Sequence, residues 1–420
     1  MTPSSRRKKP RRNAIIAAVL LAAIGVLAAA GIVQIGFAEM AASRRAGVIA
    51  HQLRPAHSTG TAEAASEALA TGSIDRAEAL ALTALRHSPL EIAAVRTLGQ
   101  VREARRPGSG DGLMLLAARL GWRDRPTQQW VVQRAILAGE FLIATQRAEA
   151  LIRVQRDDRA AFALFRMLAL DPRGRPLVVQ SLARRPYWRH DFFSESFFNP
   201  GQELNAMVGL LDDLGRTAAP PSPVEARPII DGLATAGRPE DAWRLYRRYS
   251  VERGSQALLP NGNFERTDID FSGGGNSTVF DWRVFEVGQS TAGVEARADD
   301  GGNRVLFGIV SGPTNFRLAE RTLVLRPGQY EIAYRMRASE ARAPEALGFT
   351  IRCGATSVQV LAPPRDPLPS GEWQQRRHRF TVPAGCRSQI LSLFGGASPE
   401  GSNVEAVFDD VRIAPVNGAG

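Results

Sequence analysis

The sequence predicts a multidomain chain, α followed by all-β: a single transmembrane helix, a long run of short amphipathic helices, and a C-terminal antiparallel β-sandwich. Three observations carry this. Residues 14–38 form an uncharged apolar run; from 39 to 254 apolar residues recur at three- and four-residue spacing between Pro, Gly and Asp; beyond Pro260 the apolar period falls to two. With 420 residues, 44% of them hydrophobic, the chain is long enough to bury about two or three separate cores.

Residues 1–13 are a basic tail in which Arg6, Arg7, Lys8, Lys9, Arg11 and Arg12 hold six of the eleven net positive charges. Lysine occurs only at positions 8 and 9, so the remaining excess is a general arginine bias and not a phosphate-tracking stripe. No nucleic-acid partner is expected. The same scarcity of lysine excludes a Schiff base or a completed P-loop further along. The run AIIAAVLLAAIGVLAAAGIVQIGFA, 14–38, would measure about 37 Å as a helix, enough to cross a hydrocarbon core of about 30 Å. Its positive N-terminal flank predicts a single-pass bacterial inner-membrane protein, N-terminus cytoplasmic and bulk periplasmic. A cleaved signal peptide ending near Ala28-Ala29-Ala30 is the alternative, although the apolar run continues past that point.

In the helical region, 39–254, Gly72, Ile74, Ala77, Ala81, Ala84 and Pro89 stand at the offsets of a tetratricopeptide repeat, which this stretch resembles. Weaker copies occur at Gly139, Phe141, Ala144, Ala148 and at Gly237, Pro239, Ala242, Tyr246. The resemblance implies stacked helix pairs, a protein-binding scaffold and no catalysis. An irregular helical domain is the plainer alternative. The aromatic stretch RRPYWRHDFFSESFFNPG, 184–201, reads as core, with an exposed partner patch as the other reading.

In 330–337, Tyr330, Ile332, Tyr334 and Met336 share one face of a strand while Glu331, Arg335 and Arg337 share the other. Comparable runs at 347–352, 356–361, 374–382, 388–394 and 404–413 predict an antiparallel sandwich. Cys353 and Cys386 are the only cysteines, and in an exported chain they are expected to form a disulfide between adjacent strands, worth roughly 3 kcal/mol.

The segments LLPNGNFE at 258, DWRVF at 281, LRPGQYEIAYRMRA at 325, EWQQRRHRFTVP at 372 and FDDVRI at 408 follow the order found in galactose-binding-like jelly rolls, the fold of many carbohydrate-binding modules. The resemblance covers 256–416 and makes LLPNGNFE a domain start. It implies a structural calcium held by Glu265 with Asp409 or Asp410, solvated carboxylates being the alternative. It also implies a polysaccharide as ligand. Trp282 and Trp373 match structural positions of the family, which leaves Phe271, Phe280 and Phe316 as candidate sugar-facing aromatics.

No catalytic constellation emerges: the five histidines lack metal-ligand spacing, no G-x-S-x-G elbow occurs, and GSGDG at 108–112 follows a helix. The chain is therefore not expected to be an enzyme. The expected function is a membrane-anchored scaffold that holds a protein partner through its repeats and a glycan through its sandwich, as an accessory to surface-polysaccharide biosynthesis or export. The alternatives are an envelope assembly factor whose sandwich binds protein, and a jelly-roll polysaccharide lyase or hydrolase using Tyr334 and His378.

Overall fold

The computed structural model describes residues 31–41, 44, 46–154, 159–194, 201–250, 256–266, 277–288, 290–311, 315–339, 347–363, 371–396 and 403–416. The chain divides into two compact units, 1–168 and 169–420. The last five helices thus belong to the unit that holds the sandwich, whereas the sequence pattern placed the division at 254–256.

The described residues of the first unit start with the helical stretch 31–41, α1. It continues through α2 (Gly47–Leu53), α3 (Ser58–Ala70), α4 (Ile74–His87), α5 (Ile92–Arg105), α6 (Asp111–Leu120), α7 (Arg125–Leu137), α8 (Phe141–Val154) and α9 (Arg159–Leu170), whose end crosses into the second unit. The expected membrane-spanning helix is corrected here, and with it the inner-membrane, single-pass placement. Among the described residues no helix is long and apolar enough to cross a membrane. The eleven described residues of α1 would reach about 16 Å, half a hydrocarbon core, and 14–30 lie outside the described residues.

The glycines singled out in the sequence do one job three times. Gly72, Gly139 and Gly237 have φ of +80°, +74° and +74°. Each follows a helix whose last carbonyls are closed in the same way: Ser73 N donates to Ala68 O and Gly72 N to Leu69 O, Glu140 N to Ala135 O and Gly139 N to Ile136 O, Arg238 N to Leu233 O and Gly237 N to Ala234 O. These are Schellman caps, which need a left-handed residue that glycine supplies without Cβ strain. The small residues that follow, Ala77, Ala81 and Ala84, Ala144 and Ala148, and Ala242, are fully buried and let the paired helices approach. Three hairpins, α3–α4, α7–α8 and the pair α13–α14 described next, are therefore built alike.

The second unit opens with α10 (Arg175–Ala183), α11 (Arg189–Ser194), α12 (Gln202–Leu214), α13 (Pro223–Thr235) and α14 (Pro239–Tyr249). In the aromatic stretch Trp188, Phe192 and Phe193 are buried, Tyr187 is exposed, and Phe197 and Phe198 lie outside the described residues. Arg189 is buried beside them and is satisfied by both oxygens of Glu225 at 2.8 and 2.9 Å and by the carbonyls of Leu182, Ala219 and Pro220. Glu225 also closes a capping box with Ser222, so one carboxylate both starts α13 and neutralises a buried cation.

Among the described residues eleven strands follow: β1 (Arg283–Val284), β2 (Glu286–Val287), β3 (Ser290–Arg297), β4 (Asn303–Ser311), β5 (Phe316–Leu323), β6 (Gly328–Ala338), β7 (Leu347–Cys353), β8 (Gln359–Leu361), β9 (Gln374–Val382), β10 (Gln389–Gly395) and β11 (Asn403–Pro415). They form a five-stranded sheet, β1-β5-β10-β7-β8, and a six-stranded sheet, β2-β3-β4-β11-β6-β9, with every pairing antiparallel. Leu306, Leu318, Ile332, Phe349, Leu391, Leu393 and Phe408 fill the space between the sheets.

LLPNGNFE is a tight lead-in and not itself a strand. Asn261 and Phe264 both take positive φ, and Gly262 lies so close to the β11 bulge that a Cβ there would stand 1.9 Å from Val411 O. Phe264 is buried against Trp282. The buried Arg321 of β5 faces inward and donates to Pro260 O and Phe280 O, tying the lead-in to the sheet. Cys353 and Cys386 form a disulfide with Cα atoms 5.5 Å apart, joining the end of β7 to the turn before β10.

Candidate functional site

Pairing register decides which strand residues face outward. Leu391 and Leu393 of β10 are core, so Ser392 between them points away from the core, and its partners Glu320 on β5 and Thr350 on β7 share that outer face. Arg283 of β1 pairs with Glu320 and completes the row. Arg283, Glu320, Ser392 and Thr350 thus cross four neighbouring strands side by side. On one side lie Thr322, Ile390 and Arg352; on the other, Arg317, Phe394 and Gly348.

The row is recessed. Ser392 is 2% exposed and Glu320 8%, although both point outward. Glu320 accepts Arg283 Nη2 on Oε1 at 2.7 Å and Arg317 Nη1 on Oε2 at 2.9 Å. A carboxylate held between two guanidinium groups keeps all three from swinging, and each arginine retains further N–H donors. Half-buried Phe394 and Ile390 add apolar surface at either side. Arginine donors fixed by a buried carboxylate, with an aromatic beside them, suit a ligand with many hydroxyls and an apolar ring face.

Of the aromatics expected from the sequence, the two that are described, Phe280 and Phe316, do not stand in this row. Phe280 is buried between Trp243 and Tyr246, at 5.2 and 5.3 Å, and is closed to any sugar. Phe316 opens β5 opposite Gly395, half-buried and packed on the core. Phe271 lies outside the described residues. Trp282 sits in the core, its indole N–H donating to Asn261 O, and Trp373 lies under the guanidinium groups of Arg335 and Arg337 at 4.5 and 5.2 Å.

Glu265, Asp409 and Asp410 each have a partner within the protein. Asp409 is buried and bound by Arg335 and Asn303; Asp410 faces Arg335 at 3.6 Å and Arg412 at 3.0 Å; Glu265 accepts the amide of Arg304 at 3.1 Å. Among the described residues no three His, Cys, Asp or Glu side chains are grouped to hold a metal ion. Arg335, reaching Asp409 and Asp300, supplies the positive charge at that spot. Tyr334 and His378 do meet, at 3.2 Å, but the phenol is fully buried against Phe349 and Phe408 and cannot reach a substrate.

No family model matches the chain, and no curated protein matches it. Among solved structures it is similar to a putative sugar binding protein from Bacteroides thetaiotaomicron, at 11% identity and a TM-score of 0.30, over 38% of this chain and all of that one. It is also similar to the CBM22-1 xylan-binding domain of Xyn10C from Paenibacillus barcinonensis, at 18% identity and a TM-score of 0.26, over 33% of this chain and 87% of that one. A third is TmCBM61 in complex with β-1,4-galactotriose, at 14% identity and a TM-score of 0.26, over 39% of this chain and all of that one. Identities this low do not speak to ligand.

Proposed function

We propose that the outer face of the five-stranded sheet binds a glycan and that the helical hairpins hold a protein partner, together serving the making or export of a surface polysaccharide. The observation that supports the reading is the recessed row Arg283, Glu320, Ser392 and Thr350, with Glu320 clamped by two arginines beside Phe394. Glu320 holds Arg283 and Arg317 in place, and their remaining N–H donors beside Phe394 are what a polyhydroxyl ligand would use. The three matching Schellman-capped hairpins support the scaffold half of the proposal.

The test is binding of the full chain to a panel of bacterial polysaccharides, with Glu320→Gln beside it. Loss of one fixed charge-assisted contact should weaken binding about tenfold or more. A chain that binds no glycan but captures a protein in a Glu320-dependent way is an assembly factor. Release of new sugar ends during incubation would make it a lyase or hydrolase.

A further inference from the structure

The C-terminal unit also holds a pocket whose lining differs in chemistry from the sheet face. It lies between α14 and the sandwich loops 324–327 and 385–387, with a volume of about 420 Å³, within the usual range for small-ligand sites. Its floor is apolar: Leu258, Val324, Leu325 and Pro327. One wall is Trp243, which stacks on Tyr246 at 5.2 Å and meets the edge of Phe280, and which remains half-buried, with part of its ring turned to the pocket.

The rim is cationic. Arg247, Arg326 and Arg387 line it, against a single carboxylate, Glu240. That carboxylate is already taken, because Arg387 binds both its oxygens at 2.9 and 2.7 Å and holds its pKa below the usual range. Arg326 is exposed and forms no ion pair among the described residues, while its backbone is pinned by the Tyr330 hydroxyl, which donates to Arg326 O at 3.0 Å.

The walls are built in advance of any ligand. The buried amide of Gln389 accepts Leu325 N at 2.9 Å and donates to Cys386 O at 2.7 Å, joining the two loops, and the disulfide anchors Cys386 to β7. Such preorganisation lowers the ordering cost of binding. An apolar floor, a partly open aromatic face and a net positive rim select a ring with one hydrophobic face and one negative charge.

We propose that this pocket binds the carboxylate of an acidic sugar residue, a uronate, with its ring against Trp243 and its charge toward Arg326 and Arg247. The choice of a sugar rests on the glycan-binding reading above; the choice of an anion rests on the pocket alone. The test is calorimetric titration of the full chain with trigalacturonate, a neutral galactose trisaccharide and cyclohexanecarboxylate, repeated on Arg326→Ala and Glu320→Gln. Arg326 lies on an exposed loop, so its substitution leaves the fold intact.

Trigalacturonate should bind, weaken about tenfold in Arg326→Ala, and weaken as salt rises, while any binding of the neutral trisaccharide is indifferent to Arg326. Acidic-sugar binding unchanged by Arg326→Ala overturns the proposal, as does failure of both acids to bind. Cyclohexanecarboxylate binding through Arg326 without trigalacturonate binding overturns the sugar assignment. If Arg326→Ala matters and Glu320→Gln does not, the pocket stands and the sheet-face reading falls.

Discussion

Asp231 of α13 accepts the backbone amide of Val279 at 3.1 Å, a bond that fastens a helix to the segment leading into β1. Beside it Asp281 accepts the hydroxyl of Tyr246 from α14 at 2.7 Å, so two carboxylates stand at the same seam. Burial pushes the Asp231 carboxyl up to about 6, with Asp281 adding to the rise and Arg227 and Arg283 opposing it.

A folded-state value above the unfolded one means that the proton favours the folded chain. The contribution of Asp231 is therefore complete below its ordinary value of 3.8 and lost as pH rises through about 6. It amounts to at most about 3 kcal/mol. Melting temperature should rise as pH falls from about 7.5 to about 5, and Asp231→Asn should flatten that rise while stabilising the neutral-pH protein. Thermal melts across this window check it; an unchanged slope in the variant would refute the assignment.

Reducing the Cys353–Cys386 bond reopens a loop of 33 residues and should cost roughly 3 kcal/mol. Urea titration with and without reductant measures this. The paired Ala variant should lose a similar amount and no longer respond to reductant.

Gly139→Ala places a Cβ at φ +74° and should destabilise the first unit by about 1–2 kcal/mol. Gly112, in α6, has open space at its Cβ position and carries no positive φ, so Gly112→Ala should be neutral or mildly stabilising. A drop in the urea midpoint for the first variant alone, at constant slope, is the expected result.

Arg335 pairs with Asp409, one of the carboxylates suggested for calcium, so chelation should leave the melting temperature unchanged, whereas Arg335→Ala should cost about 2 kcal/mol by stranding the buried Asp409. A calcium-dependent rise in melting temperature would restore the ion to that site.

How much of this was legible in the chain depended on whether a residue's neighbours in sequence are also its neighbours in space. The later strands were readable because β6 alternates cleanly, Tyr330, Ile332, Tyr334 and Met336 inward against charged residues outward. β4 was not, because Phe307 and Ile309 on its outer face are as apolar as Leu306 and Val310 on its inner face. The recessed row was invisible for a different reason. In FRLAERTL the adjacent Glu320 and Arg321 must face opposite ways, and only the register with β10 shows that Arg321 is the one inside. The glycine turns were local features, and their Schellman geometry followed from local chemistry. Phe280 misled because an aromatic near the start of the sandwich is equally suited to a sugar face and to a seam with α14, and nothing within the segment distinguishes them.

The seam itself bears on how such a sandwich could move between proteins over evolutionary time. Phe280 lies against Trp243 and Tyr246, Val279 hydrogen-bonds to Asp231, and Arg387 grips Glu240, so three successive parts of the sandwich are completed by α13 and α14. A gene fragment starting at 256 would carry the strands away from their own wall, exposing a ring that is now dry and leaving the Val279 amide and the Arg387 guanidinium without these partners. Recombination that preserves the fold has to cut upstream of Ser222, the capping residue of α13. The inherited unit is then a helix pair with its sandwich, and its ancestry should be traced through both together.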